Sequence, residues 1–176
     1  MAAKLRWVER RWEFKFPVEI YPDILERLRG TPARIEELVR GLSPDALTRR
    51  ERTGSWSIQE NIGHLTDLEY LPMQRIDQVL AGEKVMIAAD MANKATHAAG
   101  HNARPIADVT ADFRRERMRL MNKLGSLTDA DFARTGTHPR LGSAMRLMDL
   151  CSFTADHDDY HLARMWELRR LFAAGR

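Results

Sequence analysis

The chain has 176 residues, 44% of them hydrophobic, 30% charged and 7% aromatic. That length suits one domain of ordinary size, whose core needs no disulfides to hold it. A net charge of +3 with both signs interleaved argues against a nucleic-acid surface, although the sequence pI is 9.3. Cys151 is the sole cysteine, which excludes an intrachain disulfide and a cysteine-based zinc site. Met1–Phe16 is rich in Lys, Arg and Glu and lacks the apolar stretch of a signal peptide. No apolar run approaches the roughly 18 residues of a membrane span. The expectation is a soluble, cytoplasmic protein that meets neither membrane nor nucleic acid.

Residues 1–19 read as an extended arm, with apolar and polar residues alternating over Trp12–Phe16, and residues 20–176 as one helical domain. Helical periodicity runs from Ile20 to Leu42 and is interrupted by Gly30-Thr31-Pro32, a kink or a restart. Ser57-Ile58-Gln59-Glu60 fits a capping box, with Trp56 placed to staple the turn. The helix it opens continues to Gly82, and Pro72 should kink it midway by removing a backbone donor. Glu83–Pro105 is poorly patterned, a long connection of the kind that is more often functional than accidental. A third helix spans Ile106–Leu127, and a fourth, capped by Ser143, reaches Phe172. No pair of runs shows the alternation of strands. The pattern predicts an all-α fold, an antiparallel four-helix bundle with one long loop between helices 2 and 3.

The fourth helix carries the chemistry. Its inward register reads Leu147, Leu150, Thr154, His157, His161, Met165 and Leu168. Two imidazoles one turn apart on an apolar stripe can share a metal ion, or be core histidines satisfied by hydrogen bonds. His64 lies one and a half turns into the second helix, beside inward Leu65 and Leu68. In a bundle it can face the pair on the fourth helix. Three neutral imidazoles with an open fourth position are a catalytic arrangement rather than a closed structural one.

Gly54-Ser55-Trp56-Ser57-Ile58-Gln59-Glu60-Asn61-Ile62-Gly63-His64-Leu65 and His157-Asp158-Asp159-Tyr160-His161-Leu162-Ala163-Arg164 resemble the two signatures of the DinB/YfiT-like bundle family. Thr31-Pro32-Ala33-Arg34 and the His138-Pro139-Arg140-Leu141-Gly142 loop resemble it too, so the likeness spans Tyr21 to Leu171. It implies a four-helix bundle in which His64, His157 and His161 hold one divalent metal, zinc or nickel. It further implies a small-molecule substrate, a low-molecular-weight thiol for S-transfer or isomerisation, and a homodimer packed through bundle faces. The alternatives are a hydrolase that activates water and a non-catalytic metal-binding bundle.

Other constellations are weaker. Asp158 stands where a zinc protease needs Glu, and the paired Glu-x-x-His of a di-iron bundle is absent. Cys151 reads as a buried, inert thiol. His97 and His101 form a second i,i+4 pair in the poorly patterned segment; His97 reads as solvated, and His101 is a reserve acid or base. Glu60 and Asp158 could each orient a ligand imidazole. Tyr160 could reach a pocket, which makes His101, Asp158 and Tyr160 the candidate catalytic residues. His138 reads as structural. Arg114, Arg115, Arg117, Arg119, Arg146 and Arg164 read as a solvated face, or as a rim for a cofactor's carboxylates.

Overall fold

The computed structural model describes residues 5–173. Helix α1 is Tyr21–Val39, α2 Pro44–Thr48, α3 Ile58–Leu68, α4 Tyr70–Leu80, α5 Lys94–Ala98 and α6 Ile106–Leu124. A short α7, Asp129–Phe132, precedes the strands β1, Thr135–Thr137, and β2, Ala144–Arg146, and the long α8 covers Leu147–Ala173. Helices α1, α3 with α4, α6 and α8 form the four-helix bundle. No helix among the described residues is long and apolar enough to cross a membrane.

Ion pairs and side-chain hydrogen bonds to carbonyls show the directions of the helices. Arg27 reaches Asp156 and Asp159, while Arg169 reaches the Leu38 and Arg40 carbonyls, so α1 and α8 run the same way. Arg117 bonds the Leu28 carbonyl while Arg114 pairs with Glu36, so α6 opposes α1. Glu69 meets Arg117 and Asp77 meets Lys123, so α3–α4 and α6 run in parallel. The bundle therefore mixes antiparallel and parallel neighbours. After α4 the chain must return the length of the bundle, about 35 Å at helical rise, before α6 can start. This is why residues 81–105 form so long a connection.

The capping box at Ser57 is complete in both directions, with Glu60 accepting from the Ser57 amide at 2.9 Å. The second helix breaks at Glu69, three residues before Pro72, whose ring crowds the preceding turn and cannot donate to it. Pro32, by contrast, is accommodated inside α1.

Two expectations need correction. A two-stranded antiparallel ribbon, Thr135 opposite Arg146, occupies what read as plain loop. These strands are too short for alternation to mark them. Ser143 consequently does not cap the last helix; the Asp149 carboxylate accepts from the Arg146 amide at 2.8 Å instead.

In the arm, Trp12, Phe14, Phe16, Val18 and Ile20 pack against the core, and the residues between them are exposed. The core divides in two. Leu28, Ile76, Val79, Leu120 and Leu147 centre one half, and Ile35, Ile62, Val109, Phe113 and Met165 the other. Between the halves lies a buried polar group, Arg117 with Glu69 and Asp158.

Candidate metal centre

The inward register of α8 places Leu150, Thr154, His157 and His161 on the face towards α3 and a cavity of about 400 Å³. Across from them, α3 presents His64. The ligand nitrogens of His64, His157 and His161 all lie within 4.8 Å of one another, and the Nε2 atoms of His157 and His161 are 3.2 Å apart. Two nitrogens bound tetrahedrally at about 2.0–2.1 Å from one ion stand about 3.3 Å apart, so this donor set fits a single divalent ion.

Hydrogen bonds orient the rings. His161 Nδ1 lies 2.8 Å from Asn61 Oδ1, and the Asn61 amide is fixed because its Nδ2 donates to the Ser57 carbonyl. Oδ1 can only accept, so His161 carries its proton on Nδ1 and turns the Nε2 lone pair towards His157. His64 Nδ1 meets Thr96 Oγ1 at 3.1 Å. Burial first, then the neighbouring His157, holds the His64 imidazole down at about 3. His157 is likewise held at about 3, by burial and then by Arg117 and Arg140. Neutral imidazoles are the form a metal requires.

Thr96 comes from the segment that looked patternless. That segment is tied to α3 at several points: Gln59 donates to the His101 and Arg104 carbonyls, and Ser57 donates to Asn102. The His101 ring lies directly on Gly63, where a β-carbon would come within 2.2 Å of it.

The remaining candidates fall differently. Tyr160 lines the cavity with its ring 5.2 Å from His161. His101 is buried outside the cavity wall, its Nε2 2.9 Å from Asp67, which corrects its expected place at the reacting atoms. Asp158 also turns away. It is 1% exposed and bonded to Arg117 and Thr31, because one residue along a helix rotates it off the histidine face. Glu60 is engaged by its own cap and by Arg50. The ring-orienting roles expected of Glu60 and Asp158 fall instead to Asn61 and Thr96.

Arg117 is wholly buried, a correction to its place on a solvated face. The other five arginines of that group pair with carboxylates away from the cavity. His97 is exposed, and the Cys151 thiol is buried and pushed up to about 12 by that burial, as its inert reading requires. His138 was expected to be structural, yet it lines the cavity together with Arg75 and Arg140. The two arginines were missed; the His138-Pro139-Arg140 motif was the available signal for one of them. Trp7 and Trp56 were also missed. The Trp7 ring lies 5.0 Å from His157, and the Trp56 ring lies 4.4 Å from His64.

Comparison with known proteins agrees with this architecture. The DinB superfamily profile matches residues 27–165. A Geobacillus thermodenitrificans (strain NG80-2) protein named "Putative metal-dependent hydrolase" is 24% identical over 156 residues, 89% of this chain and 88% of its own. In fold the chain is similar to YfiT from Bacillus subtilis, described as "a probable metal-dependent hydrolase with an unusual four-helix bundle topology". The TM-score is 0.78 at 21% identity, covering 93% of this chain and 94% of that one. It is also similar in fold to a mycothiol-dependent maleylpyruvate isomerase, with a TM-score of 0.65 at 11% identity over 84% of this chain and 60% of that one. With its profile matched over most of its length, the chain belongs to the DinB superfamily.

Proposed function

We propose that this protein is a metal-dependent enzyme that uses His64, His157 and His161 to hold one divalent ion, zinc or nickel. The observation that carries the reading is the convergence of three imidazoles on a cavity large enough for a small molecule. Such an ion supplies a Lewis acid that lowers the pKa of a coordinated nucleophile and raises its fraction ionised at neutral pH.

The chain's own residues do the rest. Asn61 and Thr96 fix the imidazole orientations, and Trp7, Trp56 and Phe153 give the cavity an aromatic wall beside them. Tyr160 is the candidate to contact the reacting atoms. The nucleophile in this reading is a low-molecular-weight thiol that adds across an electrophilic C=C bond. The S–H and the C=C π bond break, a C–S bond forms, and the proton ends on the adjacent carbon to give a thioether. Alternatively the thiolate is expelled after rotation about the former double bond, the π bond re-forms and the proton returns to sulfur to give an isomer. A largely apolar, aromatic cavity and the thiol dependence named for one structural neighbour support it. The names of the two other relatives favour a second reading, hydrolysis with water as nucleophile.

One assay separates them. Protein loaded with zinc or nickel is incubated with a thiol and an activated electrophile, and in parallel with 4-nitrophenyl acetate. Thiol consumption matched to product, and lost on chelation and in His157→Ala, is expected. Ester hydrolysis without thiol consumption would instead select the second reading.

A further inference from the structure

The wall of the cavity holds two guanidinium groups that pair with no carboxylate among the described residues; the acidic residue in its lining, Asp90, is exposed and accepts from the Ala92 and Lys94 amides. Arg75 is 3% exposed, donates from Nε to the Ile87 carbonyl at 3.0 Å, and pairs with no carboxylate. Arg140 lies over the Trp12 and Phe153 rings, and its Nη2 is buried without a hydrogen-bond partner. Both line the same cavity as the three histidines. Arg75 is buried and Arg140 half-buried with one nitrogen enclosed. Guanidinium groups withdrawn from water are normally paired, so two that reach no carboxylate in one cavity call for an anion.

His138 sharpens the point. Its Nε2 lies 3.2 Å from Arg75 Nη1, and its Nδ1 lies 3.3 Å from the Leu141 amide. A neutral imidazole has one acceptor nitrogen, and arginine only donates. One of these contacts therefore sets donor against donor. An acceptor placed between Arg75 and His138 relieves it. Burial, with Arg140 as second cause, lowers Arg75 to about 10, as expected where like charges share a pocket.

We propose that Arg75, Arg140 and His138 form a subsite for an oxyanion, a carboxylate or phosphate, on the small molecule that this cavity delivers to the three histidines. The β1–β2 ribbon holds the loop that carries His138 and Arg140, and the kinked α4 carries Arg75, so the subsite stands on supported elements. The substrate is then an organic anion whose apolar body lies along Phe153 and Trp7. The delivery clause rests on the proposed metal-dependent reading; the anion subsite itself does not.

The test is calorimetric titration of phenylacetate, the neutral phenylacetamide, and inorganic phosphate into the full chain, both zinc-loaded and after dialysis against chelator. Zinc content is measured in parallel. Phenylacetate or phosphate should bind the metal-free protein, with Arg140→Gln and Arg75→Gln each weakening the bound anion about tenfold or more. Which of the two anions shows that dependence identifies the group read. Arg140→Gln in the loop keeps the test valid if Arg75→Gln fails to fold. Equal binding of phenylacetamide, no binding of either anion, or anion binding indifferent to Arg140 would overturn the subsite. Failure to take up zinc alone would overturn the metal reading and leave the subsite standing.

Discussion

Asn61 Oδ1 accepts from His161 Nδ1 at 2.8 Å, a contact between α3 and α8 that settles which nitrogen of His161 is free for a metal. Because the Ser57 carbonyl pins the same amide, the start of α3 also sets the angle of a histidine on another helix.

Asn61→Ala should therefore fold and keep its three histidines, but bind zinc about 10–100-fold more weakly. Competition with a chromophoric chelator measures this. Unchanged affinity would show that packing alone orients His161.

Arg117 is costly to remove. It bonds Glu69, Asp158 and the Leu28 carbonyl while wholly buried. Burial alone would lower its pKa, but Asp158 and Glu69 outweigh that and raise it. Arg117→Met leaves two buried carboxylates facing each other and should destabilise the fold by about 3–5 kcal/mol in urea unfolding. Adding Glu69→Leu and Asp158→Leu should recover much of the loss, because the apolar halves of the core would then meet.

Much of this arrangement was legible in the sequence, and what was not has a common cause. The Ser57 capping box, the break before Pro72 and the stripe carrying His157 and His161 are local patterns, set by neighbours within one or two turns. The parallel run of α4 and α6 is set by pairs far apart in the chain, as is the buried state of Arg117. The hydrogen bond of Asn61 to His161 spans 100 residues, and Thr96 meets His64 across 32. Periodicity carries no information about such partners. Adjacent carboxylates, Glu60 and Asp158, therefore looked like the ring-orienting groups when an amide and a hydroxyl fill that role.

Gly63 gives the long connection its seat. Gly63→Ala puts a methyl where the His101 ring lies and should cost about 1–3 kcal/mol. Hydrogen exchange should rise across residues 94–103 while α6 stays protected. Zinc affinity should fall with it, because Thr96 leaves His64.

Acid should destabilise the metal-free protein before its carboxylates titrate. His138 is held at about 4, by burial first and then by Arg75 and Arg140, against 6.5 when unfolded. The unfolded chain then binds more protons below pH 6.5, so stability falls as pH drops from there towards 4. His64 and His157, at about 3, extend the loss lower. Melting temperature followed from pH 7 to 4 should decline, and His138→Gln should make that decline shallower. An identical slope in the variant would count against a buried neutral His138.

The decisive measurement is elemental analysis of the untagged protein, reconstituted with zinc or nickel and dialysed, beside the His64→Ala/His157→Ala double variant. About one ion per chain is predicted for the native protein, as a mononuclear site requires, and none for the variant. No ion after reconstitution, or equal content in both proteins, would contradict a metal centre at these three histidines and make them a packing feature of the bundle.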